Sequence, residues 1–400
     1  MIEPAIRRSI FLLATALMVA LVAMPSRAAE KKSVPFGYLE IIDDPRYAKK
    51  LAYARIRIKP HDRPFPGAEL AIHKSRILGR ALKIKFTLER AQRKTAAGLV
   101  AEVERLSAAG VRYFLVDANS NILDELAKAT VGKDIVILNI SEPSNLLRSE
   151  GCQAHLMHTL PSYAMQTDAL AQFLVANSWR DVLVLKGPLK EDAAFARSFE
   201  TSAKRFGVRV VTSRDFVLSN DPREREKNNV KLMTAKVNYD VVFVADTERE
   251  FGRYVPFQTN RPRPVIGTEG LIAEAWNWSW ERHGAPQLNQ RFEKRVKRRM
   301  TSPDWAAWIA IRAIIESIVR TKSVDFKTVR AYLSGDKLTL DGYKGTPSSF
   351  RPWDNQLRQP ILLRTHNAIV DRAPLKGFLH PTENMDTLGF DRGDKKCRLK

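Results

Sequence analysis

The stretch VRYFLVDANSNILDELAKATVGKDIVILNISEPSN, residues 111–145, decides the fold of this 400-residue chain. Two apolar runs, at 111–117 and 134–140, each end at a cluster of polar residues. The segment between them repeats its apolar residues at the spacing of an amphipathic helix. A strand, a helix and a second strand in this order predict a right-handed βαβ unit within a parallel sheet.

The same alternation extends from residue 82 through the run at 240–247. It predicts further strands at 82–88, 181–187, 208–216 and 240–247, and helices at 95–110, 163–178, 191–207 and 223–237. The segment 155–162 separates the two series, and it contains Pro161, so an extended crossover is expected there. About 370 mature residues exceed what one hydrophobic core holds. We therefore predict an α/β protein with two doubly wound, Rossmann-like lobes joined by a hinge.

The C-terminal third of the chain has a different pattern. Strongly periodic helices are predicted at 288–300 and 302–321, and β-type runs follow at 348–353, 359–367 and 368–371. The tail from Ala373 is polar and rich in Gly and Pro. We expect this tail to lie along the surface.

The first residues have the pattern of a secretory signal peptide. Arg7 and Arg8 precede an apolar run, and the small residues Ser26 and Ala28 follow it. The apolar run, of about 15 residues, is shorter than the ~20 that span a bilayer, although an uncleaved anchor is the alternative. Residues 1–28 are therefore predicted to be a cleaved signal peptide, and the mature protein is expected in the periplasm.

The chain carries a formal net charge of +22. Its Lys and Arg residues are spread along the whole sequence and are densest at 221–231 and 291–300. This pattern is typical of a solvated helix surface, and the alternative is attraction to anionic lipid head groups or to an acidic partner, giving a peripheral membrane contact. The basic stretches show no repeated interleaving of aromatic residues and no reader motif, which in an exported protein argues against nucleic-acid binding.

The chain has two cysteines, Cys152 and Cys397. An even count in an oxidising compartment favours a disulfide, which would hold the basic tail against the edge of the first lobe. Two unpaired thiols are the alternative.

Five loops are the candidates for a ligand site. Ligands of such sheets bind at the carboxyl ends of the strands, and two facing lobes place those ends across a shared cleft. The loops are 117–121, 139–145, 187–191, 245–248 and 267–271, and all are polar or contain Gly. No His-Glu-x-x-His, Gly-x-Ser-x-Gly or phosphate-loop motif is present, and His155 and His158 lie on opposite faces of an extended segment. We therefore expect a binding protein and not an enzyme, without a cofactor or metal.

Four segments resemble those of the type I periplasmic solute-binding proteins, the leucine/isoleucine/valine-binding class. They are MHTLPSYAMQ (157–166), VIGTEG (265–270), DWAAWIAIRAIIESI (304–318) and SSFRPWDNQL (348–357). The resemblance covers roughly residues 34–372. The tail segment HPTENMDTLGFD (380–391) with Cys397 is similar to a subfamily, the binding component encoded with PQQ-dependent alcohol dehydrogenase systems.

The resemblance implies discontinuous lobes and a set of ligand residues. Lobe 1 is expected at 34–155 plus about 270–335, lobe 2 at 156–269 plus about 336–372, and the tail at 373–400. In the family, two loops of the first lobe hold a ligand carboxylate and an acid in the Gly-x-Glu-Gly loop meets its ammonium group. The corresponding and neighbouring residues here are Asn119, Ser120, Ser141, Glu142, Tyr163, Lys190, Asp246, Thr247, Glu269 and Trp276.

The sequence departs from the family pattern at these loops. Glu142 stands where the family has a small or hydroxyl residue, and its charge would repel a carboxylate. The stacking Tyr of lobe 2 is replaced by Leu189 or Lys190. Trp276 is expected either to wall the cleft or to pack in the core. A standard branched-chain amino acid is therefore not expected, and a cation or an amine is the alternative ligand.

The predicted function is that of the periplasmic substrate-binding protein of an ABC-type transport system, which traps a small polar solute between its lobes. Its partner would be a membrane ABC permease or a periplasmic dehydrogenase linked to PQQ-dependent alcohol oxidation. The alternative is an accessory or scaffold protein with a degenerate binding-protein fold that partners a quinoprotein dehydrogenase.

Overall fold

The computed structural model describes residues 32–48, 62–219 and 221–399. The predicted signal peptide, residues 1–28, lies outside these ranges. In the described part of the chain, no helix is long and apolar enough to cross a membrane.

Two parallel sheets form the framework of the protein. The first has the order β2-β1-β3-β4-β5, with β1 (Lys32–Ile41), β2 (Ile84–Arg93), β3 (Tyr113–Asp117), β4 (Val136–Asn139) and β5 (Leu156–His158). The second has the order β7-β6-β8-β9, with β6 (Asp181–Lys186), β7 (Arg209–Asp215), β8 (Val241–Ala245) and β9 (Val265–Gly267). We call the first sheet with the helices packed on it lobe 1, and the second lobe 2.

Helices cover both faces of each sheet. They are α1 (Phe65–Lys74), α2 (Arg76–Leu82), α3 (Ala96–Ala108), α4 (Ser120–Ala129), α5 (Tyr163–Ala176), α6 (Lys190–Phe206), α7 (Val230–Met233), α8 (Val255–Gln258), α9 (Ala285–Val296), α10 (Ser302–Thr321) and α11 (Phe326–Leu333). Strands β3, β4 and β8 are buried at every residue, as expected for parallel strands covered on both faces. The predicted two-lobed α/β fold is confirmed.

Helix α10 is the central helix of lobe 1. Its first turn is closed by a capping box, in which Thr301 and Asp304 exchange side-chain and backbone hydrogen bonds. Helix α1 crosses it at Gly67, where an added Cβ would lie 2.0 Å from the Asp304 carbonyl oxygen. The close approach of the two helices therefore requires glycine at this position.

The chain returns to lobe 1 after residue 275. Leu288 of α9, Trp305 of α10 and Val329 of α11 share one buried cluster with Phe36 of β1. This placement agrees with discontinuous lobes, although the predicted residue boundaries themselves stay a prediction.

A small antiparallel sheet connects the two lobes. It has the order β10-β13-β14, with β10 (Ile272–Glu274), β13 (Ile361–Arg364) and β14 (Ile369–Ala373), and a separate pair joins β11 (Ser349–Phe350) to β12 (Leu357–Arg358). In β13, Leu362 packs into the core of lobe 1 while Ile361 and Leu363 pack into the core of lobe 2. Side chains alternate between the faces of a strand, so β13 contributes to both cores.

The structure corrects one predicted element and contains one strand, β1, that the sequence did not predict. Residues 223–237 do not form one long helix but a 3₁₀ turn at Pro222–Asn228 followed by the single turn α7. The Asn228 side chain instead accepts a hydrogen bond from the Val217 N–H at 2.9 Å and donates one to the Val217 carbonyl at 2.7 Å. Short amide side chains compete in this way with the backbone hydrogen bonds of a helix. The central strand β1 was not among the predicted strands.

The C-terminal tail is not confined to the surface. Met385 and Leu388 are buried, and the Gly389 N–H donates to Asp168 of α5 at 2.7 Å. The tail, although polar in composition, therefore packs on lobe 2, and its residues Leu375 and Leu388 belong to the core of that lobe. The predicted disulfide is confirmed, since Cys397 is bonded to Cys152 in the connection between β4 and β5.

Candidate functional site

Both parallel sheets reverse their strand order at one point. The reversal lies between β1 and β3 in lobe 1 and between β6 and β8 in lobe 2. Ligands of open α/β sheets bind outside the carboxyl ends of the strands at such switch points, because the loops diverge there and leave a crevice. The side chains that follow these strands therefore define the candidate site, which we call the crevice.

Arg46 organises the lobe 1 side of the crevice. Its guanidinium, in the turn after β1, donates to Asp117 Oδ1 at 2.9 Å and to Ser141 Oγ at 3.0 Å. It also pairs with Asp44, with 2.6 Å between Nη2 and Oδ2. Asp117 is completely buried, and a second cation, Arg63, lies 3.7 Å from its other oxygen. Arg46 and Arg63 therefore compensate a carboxylate that would be costly to bury alone.

Sequence reasoning missed Arg46. Asp44 begins the turn by accepting from the Arg46 N–H at 2.9 Å. The strand before it contains Pro35 and Gly37, and both residues weaken the pattern of a strand. The Asp-Asp-Pro sequence at 43–45 was the remaining signal for a turn at this position.

The predicted residues Ser141 and Glu142 follow β4. Asn139 shapes their loop, because its Oδ1 accepts from the backbone N–H of Ser141 at 3.3 Å and of Glu142 at 3.0 Å. The Glu142 carboxylate is buried and accepts from the Ser144 N–H at 2.9 Å. Burial raises the pKa of Glu142, and the positive charge of Arg46 offsets part of this effect. Glu142 therefore belongs to the interior of the crevice and not to a solvated surface.

Tyr163 lies where the two lobes meet. Its backbone N–H donates to the Pro143 carbonyl of lobe 1 at 2.9 Å, and its ring packs on Phe195 of lobe 2 with centroids 5.4 Å apart. Burial raises the pKa of Tyr163 well above its usual value, and the negative charges of Glu142 and Glu191 raise it further. Glu142 belongs to lobe 1 and Glu191 to α6 of lobe 2. Negative charges from both lobes therefore act on this phenol.

Asp192 joins the two loops on the lobe 2 side. Its Oδ1 accepts from the Thr247 N–H at 2.7 Å and from the Thr247 hydroxyl at 2.6 Å, and its Oδ2 accepts from the Leu189 N–H at 3.1 Å. Burial raises the pKa of Asp192, although the hydrogen bonds from Thr247 oppose the shift. The predicted residue Thr247 is thus held by a neighbour that was not predicted. Lys190, the other predicted residue here, is exposed in the first turn of α6.

Asp246 is a completely buried carboxyl at the end of β8. Its Oδ2 accepts from the Gly252 N–H at 2.7 Å, while its Oδ1 has no hydrogen-bond partner among the described residues. Burial raises the pKa of Asp246 to about 6, and the negative charge of Asp192 contributes to the shift. An acidic oxygen without a partner is a ready acceptor for a ligand N–H group.

Glu269 lies next to Asp246, after β9. A Cβ added to Gly252 would lie 3.3 Å from Asp246 Oδ2 and 3.5 Å from Glu269 Cβ, so one glycine separates the two acidic side chains. Glu269 is half-buried, and the charges of Glu269 and Glu274 both act on Arg249. Burial lowers the pKa of Arg249, and these two carboxylates oppose the shift.

Asn119 and Ser120 lie at the rim of the lobe 1 side, after β3. Both are half-buried, and Asn119 Oδ1 accepts from the Ile122 N–H at 3.1 Å to cap α4. The cap uses the carbonyl oxygen of Asn119, which leaves its amide N–H groups to face other partners.

The structure removes Trp276 from the candidate set. Its side chain is completely buried, its Nε1–H donates to Asn289 at 2.9 Å, and its ring stacks on Trp305 with centroids 6.2 Å apart. Trp276 is buried because the residues that follow β10, from Ala275 onward, pack in the core of lobe 1. Trp276 is therefore a packing residue, the alternative left open by the sequence.

The two histidines of the crossover lie in separate environments. His155 Nε2 is 3.0 Å from Thr130 Oγ1, and His158 Nδ1 is 3.0 Å from the Asn139 amide. Burial lowers the pKa of both, in the case of His155 to about 4. Within residues 32–48, 62–219 and 221–399, no group of three or more His, Cys, Asp or Glu side chains is arranged to hold a metal ion.

Acidic side chains dominate the crevice. The acidic residues are Glu142, Glu191, Asp192, Asp246 and Glu269, and the basic ones are Arg46, Lys190 and Arg249. Arg46 already pairs with Asp44 and Asp117. The excess negative charge favours a solute with a positive group.

Comparison with known proteins identifies the fold but no sequence relative. No protein-family model and no curated protein sequence matches the chain. Among solved structures, the ABC transporter substrate-binding protein of Sphaerobacter thermophilus is similar with a TM-score of 0.71 at 14% identity, covering 90% of this chain and 100% of that one. A periplasmic binding protein of Burkholderia mallei has a TM-score of 0.64 at 14% identity, covering 92% and 99%.

The leucine-, isoleucine-, valine-, threonine- and alanine-binding protein of Brucella ovis, in a closed conformation, is similar with a TM-score of 0.67 at 13% identity, covering 92% of this chain and 99% of that one. Identities this low establish the fold alone. The chain has the two-lobed fold of the type I periplasmic binding proteins, as its two parallel sheets and these structural similarities show together.

Proposed function

We propose that this protein is the substrate-binding component of an ABC-type transport system and binds a small polar solute in the crevice. One observation carries the proposal: the half-buried Tyr163 joins the two lobes at the crevice, since its N–H donates to the Pro143 carbonyl of lobe 1 and its ring packs on Phe195 of lobe 2. Polar groups at the carboxyl ends of two separate sheets are what a two-lobed binder needs to enclose a solute. The fold shared with solute-binding proteins supports a binding role and not a catalytic one.

We propose that the solute carries an amine or another cationic group. Asp246 Oδ1 and Glu269 would receive this group, because they lie together on the lobe 2 side of an acidic crevice. Ser141, Glu142, Asn119, Ser120, Tyr163, Lys190 and Thr247 would complete the contacts. A free carboxylate on the solute would face Glu142, which disfavours it.

The proposal extends to place and partner. The fold and the signal-peptide pattern of residues 1–28 support a periplasmic protein that delivers its solute to a membrane permease. The resemblance of residues 380–391 supports a link to PQQ-dependent alcohol oxidation. Co-purification with a quinoprotein dehydrogenase would test this link.

A thermal-shift screen of the mature protein tests the binding function. The probes are n-butylamine, n-butanol and butyrate, a series matched in size that differs in charge, with amino acids, lanthanide ions and PQQ beside them. A ligand stabilises the folded state by RT ln(1 + [L]/Kd), so we expect amines to raise the Tm more than the alcohol or the acid. A screen in which no compound changes the Tm contradicts the proposal.

Glu269→Gln should weaken amine binding by about tenfold or more, because it removes one charge-assisted hydrogen bond. Glu293→Gln, an exposed substitution on α9, is the matched control and should leave binding unchanged. Equal affinities of the two variants would place the amine outside the crevice.

A second candidate is an accessory protein that keeps the fold without a solute. Arg46 favours this accessory role, because its guanidinium already donates hydrogen bonds to Ser141 and Asp117 on the lobe 1 side, where a solute would otherwise bind. In that case a dehydrogenase or cytochrome would be recovered with the tagged protein from periplasmic extract without added ligand.

A further inference from the structure

A cavity that shares no lining residue with the crevice lies where β14 passes Trp280. It has a volume of about 550 Å³, within the range of small-molecule sites. Trp280 packs in the core of lobe 1 and Leu375 in the core of lobe 2, and both line the cavity. A ligand held there would therefore contact both lobes.

The cavity has an apolar wall beside a cationic one. The apolar wall is formed by Trp280, Ile369, Val370, Pro374 and Leu375. The cationic wall consists of Arg282, Arg372 and Lys376 with His283, and Asp371 is the acidic residue among those that line the cavity.

His283 and Arg372 converge at one corner. A Cβ added to Gly345 would lie 2.3 Å from His283 Nε2 and 2.6 Å from Arg372 Nη1, so both nitrogens lie directly against this glycine. The ring of His283 also faces that of Trp280, with centroids 5.8 Å apart. Donor groups and an aromatic surface are thus presented from the same corner.

Positive charge continues behind this corner into the protein. Lys344 is buried, and its Nζ donates to the neutral oxygens of Gln359 at 2.8 Å and Pro360 at 3.1 Å. Arg372 donates to the Lys344 carbonyl. Burial lowers the pKa of Lys344, and the positive charge of Arg372 lowers it further.

Among the described residues these cations have little acidic compensation, because the negative charge of Asp371 acts on Arg372 without forming an ion pair. In the described part of the chain, no carboxylate forms an ion pair with Lys344, Arg372 or Arg282. Asp371, although close in sequence, directs its Oδ1 to the backbone N–H of Arg372 at 2.7 Å. A bound anion would supply the compensating negative charge that the chain does not.

From this geometry we propose that the cavity is a second binding site, and that its ligand is a small organic anion with an apolar body. The carboxylate or other acidic group would lie at the corner formed by His283 and Arg372. The apolar body would pack on Trp280 and Leu375. This site is separate from the acidic crevice: it favours an anionic ligand, whereas the crevice favours a cationic one.

Isothermal titration with three probes of one shape tests the charge preference. The probes are 2-naphthoate, the neutral 2-naphthalenemethanol and the cationic 2-naphthylmethylamine. In the Glu269→Gln variant, in which amine binding to the crevice is weakened, we expect binding in the order anion, alcohol, amine, and weaker anion binding as the salt concentration rises. Equal binding of the anion and the alcohol would overturn the proposal, because the cavity would then be only an apolar groove.

Variants locate the site. Arg372→Gln and, independently, Arg282→Gln should each weaken naphthoate binding by about tenfold or more. Arg282 is exposed, so its replacement keeps the test valid if Arg372→Gln fails to fold. Arg197→Gln removes an exposed charge from α6 outside the cavity and should leave binding unchanged.

Two further outcomes count against the site. If Arg197→Gln weakens naphthoate binding as much as Arg282→Gln does, the anion responds only to the overall +22 charge of the chain. If Glu269→Gln alters naphthoate binding while Arg282→Gln does not, the anion binds in the crevice. A failure of the amine screen leaves both measurements unaffected, so the two proposals can fail separately.

Discussion

Arg46 and Asp117 form an ion pair across the switch point of lobe 1, with 2.9 Å between Nη2 and Oδ1. The turn after β1 and the end of β3 are thereby held together. Asp117 is completely buried, while 27% of the Arg46 side chain is exposed. The pair therefore has properties between those of a surface ion pair and a buried one, and it sets the shape of the crevice on this side.

Arg46→Ala should lower the free energy of unfolding by about 2 kcal/mol, between typical values for exposed and buried pairs. The reason is that Asp117 then keeps the hydrogen bond from the Tyr47 hydroxyl, at 2.8 Å, but its paired cation is Arg63, at 3.7 Å. Urea unfolding measures the change. Arg209→Ala breaks a similar ion pair on the surface, with Asp181, and should have little effect; equal losses in the two variants would contradict the buried role of Asp117.

Gly67→Ala should be strongly destabilising. The added methyl group would lie 2.0 Å from the Asp304 carbonyl oxygen, so α1 and α10 must move apart. Overpacking of this kind costs about 1–3 kcal/mol or more. Gly393→Ala adds the same methyl group where no atom lies within 4 Å, and it serves as the control in thermal unfolding. A small effect at Gly67 would mean that the two helices are less closely packed.

Asp246 should make stability depend on pH. Its folded pKa of about 6 lies above the ordinary value near 3.9, so the folded state holds the proton more tightly. Its contribution to stability is complete below pH ~4 and is lost as the pH rises through about 6. Asp246→Asn should therefore gain on the order of 2 kcal/mol over the parent at pH 7.5 and little at pH 4.

Chemical unfolding of parent and variant at both pH values measures this difference. Asp168 and Asp354 also have pKa values raised to about 6 by burial. Both residues are present in the parent and in the variant, so their effect on the pH dependence cancels when the two unfolding free energies are subtracted. A variant whose gain is the same at pH 4 and pH 7.5 would show that Asp246 is not the titrating group.

Amine binding should also depend on the ionisation of Asp246, but affinity should rise with pH where the stability contribution of Asp246 falls. The crevice attracts an ammonium group more strongly when Asp246 is charged, so affinity should rise between pH 5 and pH 7. Asp246→Asn should bind more weakly and lose this rise. Titration of the best amine at three pH values tests it; a parent protein whose affinity is constant with pH would argue against contact with Asp246.

Reduction of the Cys152–Cys397 disulfide should destabilise the protein. The bond joins residues 245 positions apart and ties a tail that packs on lobe 2 to the β4–β5 connection of lobe 1. Loss of such a link costs about 2–5 kcal/mol. Guanidinium unfolding with and without a reductant measures the loss, and the Cys152→Ala/Cys397→Ala double variant should not respond to the reductant.

The sequence by itself determined the fold class and the loops that carry the candidate site. Local periodicity separates apolar strands from amphipathic helices, and strand order then places polar residues such as Ser141 and Asp246 at the carboxyl ends of the sheets. An even number of cysteines in an oxidising compartment favoured the pairing of Cys152 with Cys397, which the structure confirms. These features depend on residues that are close in the sequence or on the number of cysteines, so they can be predicted without coordinates.

Only the tertiary structure decided which of these residues meet and which partners they have. Arg46 contacts Ser141 across 95 positions, and Trp276 belongs to a core built by helices that follow it. Leu388 is buried because lobe 2 offers it a surface, although its own segment is polar. Long-range packing sets burial, and burial sets the pKa of groups such as Asp246, so neither property is contained in local sequence patterns.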